Sequence, residues 1–129
     1  MWWFSKAKRK EVWDDPVEGQ LGDIEAAQKI RAICRTAADS AERIGAPDGR
    51  STKHQGERER YERAARAAME IAMKVSDELV RDSAVREIVS LCMKANNMKT
   101  ARTLFRAIQA SSIKAEVLKE YPTLQGELP

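Results

Sequence analysis

The chain is short of the residues from which most enzymes and β-rich folds are built. Of its 129 residues, one is histidine, two are cysteine, six are glycine and seven are aromatic. Leu, Ile, Val and Phe together number 24, about 19%, near the limit below which a chain buries too little apolar surface to fold. No long β-branched run occurs, so a sandwich, a barrel or a doubly wound sheet is not expected. One histidine and the distant pair Cys34 and Cys92 cannot build a Cys/His zinc site. The glycines, at 19, 22, 45, 49, 56 and 126, lack the spacing of a phosphate-cradling loop. His54 lies in the polar stretch Gly45 to Gly56 and reads as a solvated loop residue, while Asp14-Asp15 before Pro16 reads as a turn rather than an ion site. Catalysis needs convergent nucleophiles, bases or metal ligands, and these are missing. The expectation is a protein that is not an enzyme and takes no cofactor or metal.

Other absences bear on location. No segment approaches the length of a membrane-spanning helix, and Met1 to Phe4 is far too short for the apolar core of a secretory signal. Two cysteines inside apolar helical stripes read as free, buried thiols in a reducing compartment, so a cytoplasmic protein is expected.

What the chain does have is alanine and balanced charge. Nineteen alanines supply helix surface that packs closely, and 23 basic residues against 20 acidic ones leave a net charge of only +3. Two stretches are one-signed: Lys6 to Lys10, and Met98 to Ala115, where Lys99, Arg102, Arg106 and Lys114 stand without an acid. A dedicated nucleic-acid binder carries a stronger basic footprint than this.

Helical periodicity organises residues 21–122. Ile24, Ala27, Ile30, Ile33, Cys34, Ala37, Ala41 and Ile44 recur at three- and four-residue steps, predicting a first helix over Asp23 to Ile44 with Asp23 as its N-cap. Gly45 is expected to close it with a left-handed cap, and Pro47 forbids continuation. A second helix over Glu57 to Val75 buries Ala64, Ala65, Ala68, Ile71, Ala72 and Val75. Asp77 caps a third, Glu78 to Ala95, whose core face is Val80, Ala84, Val85, Ile88, Leu91 and Cys92. After an Asn96-Asn97 turn come a fourth helix, Met98 to Ala110, and a fifth, capped by Ser111 or Ser112 and ended by Pro122. The fold class expected is all-α, an antiparallel bundle or short αα-hairpin array of four to five helices. Residues 1–20 form an aromatic and basic N-terminal arm, and residues 123–129 a frayed tail.

One internal regularity stands out. Residues 68–88 align with 101–121 at an offset of 33, pairing Ala68 with Ala101, Ile71 with Leu104, Val75 with Ile108 and Val85 with Leu118. Over residues 57–121 the chain thereby resembles the αα-hairpin repeats of the tetratricopeptide and related solenoid families, although the tryptophan–leucine–glycine and proline signatures are missing. The resemblance implies a scaffold that binds protein segments on stacked hairpins. Fewer than three units leave an exposed end, which helix one or a second copy of the chain must cover, so a homodimer is among the assemblies expected.

Two features carry functional expectations. Trp2, Trp3, Phe4 and Trp13 concentrate the aromatic mass beside Lys6 to Lys10, and are expected to fold back on the helices, enter a partner, or touch an anionic membrane surface peripherally. Lys99, Arg102, Arg106 and Lys114 form a basic surface that a helix-turn-helix reading would place against DNA. That reading puts Thr103 and Arg106 where apolar residues should pack, so nucleic-acid binding is the alternative. The leading expectation is a non-catalytic protein–protein interaction or adaptor module.

Overall fold

The structure, a computed structural model, describes residues 11–14 and 22–125. It is all-α. Five helices follow in order: α1 (Asp23–Gly45), α2 (Gln55–Ala72), α3 (Glu78–Lys94), α4 (Met98–Ala107) and α5 (Ser111–Glu120). Short 3-10 turns form at Val12–Asp14, Thr52–His54 and Pro122–Leu124, and no strand occurs among the described residues.

α1 packs against both α2 and α3, and α3 continues the array to α4 and α5. α3 is therefore the central element. Asp82, Ala84, Val85, Ile88, Val89, Leu91 and Cys92 are all buried along it, over about half its circumference, as a helix packed on several sides requires. Alanine does the work that larger residues do elsewhere. Ala37, Ala41, Ala64, Ala68 and Ala101 are fully buried, so helix axes approach closely and the few large side chains, among them Ile30, Ile33 and Ile88, suffice to fill the interior.

The helix ends show where tertiary contacts override local signals. Asp23 does not cap α1: Gly22 stands at the cap, and Glu25 reaches back to the Gly22 N–H at 3.1 Å. The Asp23 carboxylate instead accepts from the backbone N–H groups of Ser76 (3.0 Å) and Asp77 (2.8 Å), tying the start of α1 to the α2–α3 turn. Gly45 adopts no left-handed cap. It is the last residue of α1, and a Cβ there would lie 2.1 Å from the Lys94 carbonyl oxygen, so glycine is needed for the close approach of the ends of α1 and α3. The left-handed residue is Asn96 (φ 59°), in the expected turn. Asn97 then caps α4, accepting from Thr100 N–H at 3.3 Å, while its Nδ2 donates to the Tyr61 hydroxyl at 2.9 Å. Asp77 caps α3 as expected, accepting from Val80 N–H at 3.0 Å.

α4 ends at Ala107, three residues before the expected Ala110, because the next amides are captured elsewhere. Gln109 and Ala110 N–H donate to Asp82 Oδ2 at 3.0 and 2.8 Å. Ala110, not a serine, then occupies the cap position of α5. The 33-residue offset sets α2 over α4 and α3 over α5, but the first pair has 18 and 17 residues and the second 10 and 10. α5 lies on α3 rather than folding back along α4.

Segments assigned to the arm and the tail take part in the packed body. Trp13 is 7% exposed against α1 and α2, with the Arg60 guanidinium 5.1 Å above its ring. Arg60 also pairs with Glu11 at 3.1 Å, and Lys29 donates to the Val12 carbonyl at 3.1 Å. At the other end Leu124 is buried in the core.

Candidate functional site

Of the expected contact residues, Trp13 faces the domain's own interior, and Trp2, Trp3 and Phe4 lie outside the described residues. Lys99, Arg102 and Arg106 share one face of α4 by their spacing; Lys99 and Arg106 are exposed and Arg102 is half-buried. Lys114, on α5, places its ammonium 5.8 Å from the centre of the Phe105 ring. Thr103 and Arg106 both face solvent, so the positions that a helix-turn-helix would pack stay outside the core. His54 sits 3.5 Å from Asp48 and is not a bare loop histidine. With Lys53 at 3.2 Å it holds the Asp48 carboxyl below its ordinary value, Lys53 being the stronger influence. No described helix is long and apolar enough to cross a membrane. No cluster of three or more metal-ligating side chains occurs among the described residues.

The surface the sequence did not single out runs between α1 and α3. The two helices are parallel here: Ile24 and Leu79, at their starts, meet at one end, and Ala38 and Lys94 meet at the other. Periodicity builds both walls. Ile24, Arg31 and Ala38 stand seven residues apart on α1, as do Val80, Glu87 and Lys94 on α3, so each helix offers one continuous row. Between the rows stand Ala27 and Ala84 toward the first end, and Cys34, Ser90 and Leu91 toward the second. Two adjoining depressions, of ≈ 330 and ≈ 310 Å³, share Arg31 and Glu87 at the middle of the groove.

The two halves differ in chemistry. The first is apolar: Ile24 is 70% exposed and Leu79 58%, against the expectation that Ile24 joins the buried stripe of α1. Met73, 76% exposed, lies at the same end of the bundle, since the Asp23 clamp holds the α2–α3 turn there. The second half is cationic. Arg31, Arg35 and Lys94 line it and form no ion pair with any described side chain, and Glu87 is the single acid among its lining residues. Several arginines elsewhere are engaged: Arg43 with Glu57 at 2.9 Å, Arg60 with Glu11, and Arg86 with Glu116 at 2.6 Å.

Beneath the cationic half lies Cys34, 7% exposed. Burial pushes its thiol up to about 12, with Glu87 and Cys92 acting in the same direction. Burial raises Cys92 too. Both are free thiols, and neither has the exposed, thiolate-favouring surroundings of a reactive cysteine. The other buried polar clusters are structural. Ser40, fully buried, donates to Glu57 at 2.6 Å and accepts from Arg60 at 2.8 Å. The Ser40 hydroxyl, and after it Arg43, hold the Glu57 carboxyl below the usual range.

Comparison with protein-family models, curated proteins and solved structures returns no match. The groove itself therefore carries the functional reading. A signal for it was present in the sequence: Leu79 stands one position off the apolar stripe of α3, and Arg31 and Arg35 interrupt the outer edge of the α1 stripe.

Proposed function

We propose that the chain is a non-catalytic protein-interaction module that receives its partner along the α1–α3 groove. The observation that carries this is the side-by-side exposure of Ile24 and Leu79 at one end of a groove walled by two parallel helices. A chain so poor in large aliphatic residues places two of them on the surface, on facing walls, where a partner's apolar side chains gain from their burial at about 25 cal/mol per Å². Ala27 and Ala84 between the rows support the reading, because they allow a third backbone to come close.

A photoreactive amino acid placed at position 79 or 31 of the full chain in cells tests it. Discrete protein adducts are expected from these positions and none from position 59, on the exposed part of α2. Equal labelling from all three, or none from any, refutes the reading. Nucleic-acid adducts from Lys99 and Arg106, with the groove positions silent, establish the alternative.

A further inference from the structure

Resting on that reading, we infer that the groove's occupant is an acidic amphipathic helix of another protein. The helix lies antiparallel to α1 and α3, with its acidic turns over Arg31, Arg35 and Lys94 and its apolar turns between Ile24 and Leu79.

Shape comes first. From Ile24 to Ala38 the α1 wall spans fourteen residues, about 21 Å at roughly 1.5 Å per residue, which is about four helical turns. Two parallel rows at seven-residue spacing, with Ala27 and Ala84 between them at one end and Ser90 at the other, form the seat that a third helix fills in a bundle. An extended strand has no sheet edge to join, since no strand occurs among the described residues.

Charge selects the partner. Three cations that pair with no described acid, against Glu87 alone, give the second half a positive surplus, and a helix carrying carboxylates one and two turns apart on one face complements it. Direction follows from the same asymmetry. Acidic residues are intrinsically favoured in the first turns of a helix, and α3 ends at Lys94, so its negative dipole end lies beside the cationic half. A partner entering with its N-terminus there sets acidic first turns on the arginines and its own positive dipole end against the C-terminal end of α3.

The test is a titration of the isotope-labelled full chain, followed by amide chemical shifts. The probe is a synthetic peptide of about 18 residues, long enough for helix formation on a surface, with Glu at one-face positions of its first two turns and Leu in its last two. Shifts confined to Ile24–Ala38 and Leu79–Lys94 are expected. Affinity is expected to fall at least tenfold when Lys replaces Glu in the peptide, when the peptide order is reversed, and in the variant Arg31→Glu with Arg35→Glu. Both arginines are exposed, and Arg31→Gln with Arg35→Gln gives a second, milder variant in case the charge reversals disturb the fold. No shifts at millimolar peptide, or equal affinity for the lysine peptide, overturns the inference. So does concentration-dependent broadening of the same amides in the protein alone, which makes a second copy the occupant, or tighter binding of a 20-base-pair DNA duplex at Arg31 and Arg35. Protein cross-links from position 79 alongside a failed peptide titration leave the interaction function standing and remove only the acidic helix.

Discussion

The link between α4 and α5 hangs on one buried carboxylate, and removing it is the sharpest perturbation the fold offers. Asp82 is fully buried on α3, and its Oδ2 accepts from both Gln109 and Ala110 N–H, at 3.0 and 2.8 Å. Asp82→Ala strips both amides of their acceptor and opens a small void. A hydrogen bond to a charged group contributes about 1.5–3 kcal/mol net, so two amount to roughly 3–6 kcal/mol. Gln109 is itself exposed, and water can reach its amide in the variant, which favours the lower end. The expected loss is therefore about 3 kcal/mol, or a fall in Tm of roughly 12 °C for a body of this size. Asp82→Asn keeps the shape and one acceptor oxygen, and two neutral bonds retained at about 1 kcal/mol each predict about a third of that loss. Urea unfolding followed by circular dichroism gives the free energies, and hydrogen exchange locates them: protection at Gln109 and Ala110 should vanish first. Asp82→Ala within about 1 kcal/mol of the parent, or unchanged protection at those two amides, refutes the argument.

Further consequences can be checked in the same way. Gly45→Ala gains up to about 1 kcal/mol of helix propensity but drives a Cβ to 2.1 Å from the Lys94 carbonyl oxygen; overpacking at about 1–3 kcal/mol should win, and a more stable variant in urea would show the α1–α3 crossing to be looser than described. Ser40→Ala leaves Glu57 and Arg60 without their shared hydroxyl and should cost about 1–2 kcal/mol in the same assay, with no loss excluding a role for the network. Stability should fall at both ends of the pH scale. The Cys34 thiol, raised from 9.0 to about 12, binds its proton more tightly in the folded chain, so its contribution is intact below pH 9 and is lost as pH climbs toward 12; Cys92 acts in the same sense. Glu57, held low, contributes above its ordinary value of 4.5 and loses that contribution as pH falls below it. Midpoints that stay flat from pH 8 to 11 contradict the alkaline arm, and Ser40→Ala should weaken the acid arm. Asn96→Gly relieves a left-handed backbone and should be neutral or stabilising by up to about 1 kcal/mol; a clear loss would mean that the asparagine side chain does more than the turn requires.

The helices were legible because their signal is local. Alanine-rich stripes at three- and four-residue spacing need no knowledge of the partner, and the Asp77 cap and the Asn96-Asn97 turn are read within four residues. What escaped depends on groups distant in sequence. Asp23 looks like a cap until the amides of Ser76 and Asp77, more than fifty residues on, compete for its carboxylate. Asp82 sits on the buried side of a helix whose pattern says nothing of two amides 27 and 28 residues later. Gly45 carries the composition of a left-handed cap but is required by the backbone of Lys94. The proposed docking groove escaped for a related reason. Periodicity marks Ile24 as apolar-facing, yet it cannot say that no other described helix comes to cover it.

That last distinction separates stability from the proposed function in this molecule. Residues that hold the helices together are small or buried, whereas Ile24, Leu79, Arg31 and Arg35 are exposed and none of the four hydrogen-bonds or ion-pairs with another described side chain. Surface substitutions away from caps and cores usually change stability by about 0.5 kcal/mol or less. Ile24→Ser combined with Leu79→Ser should therefore melt with the parent while losing cross-linking from position 31. Asp82→Asn should do the reverse, melting early yet keeping the groove, because Asp82 turns toward α4 and α5 and not toward α1. If the two surface serines instead unfold the domain, Ile24 and Leu79 belong to its core and the groove is not a docking surface.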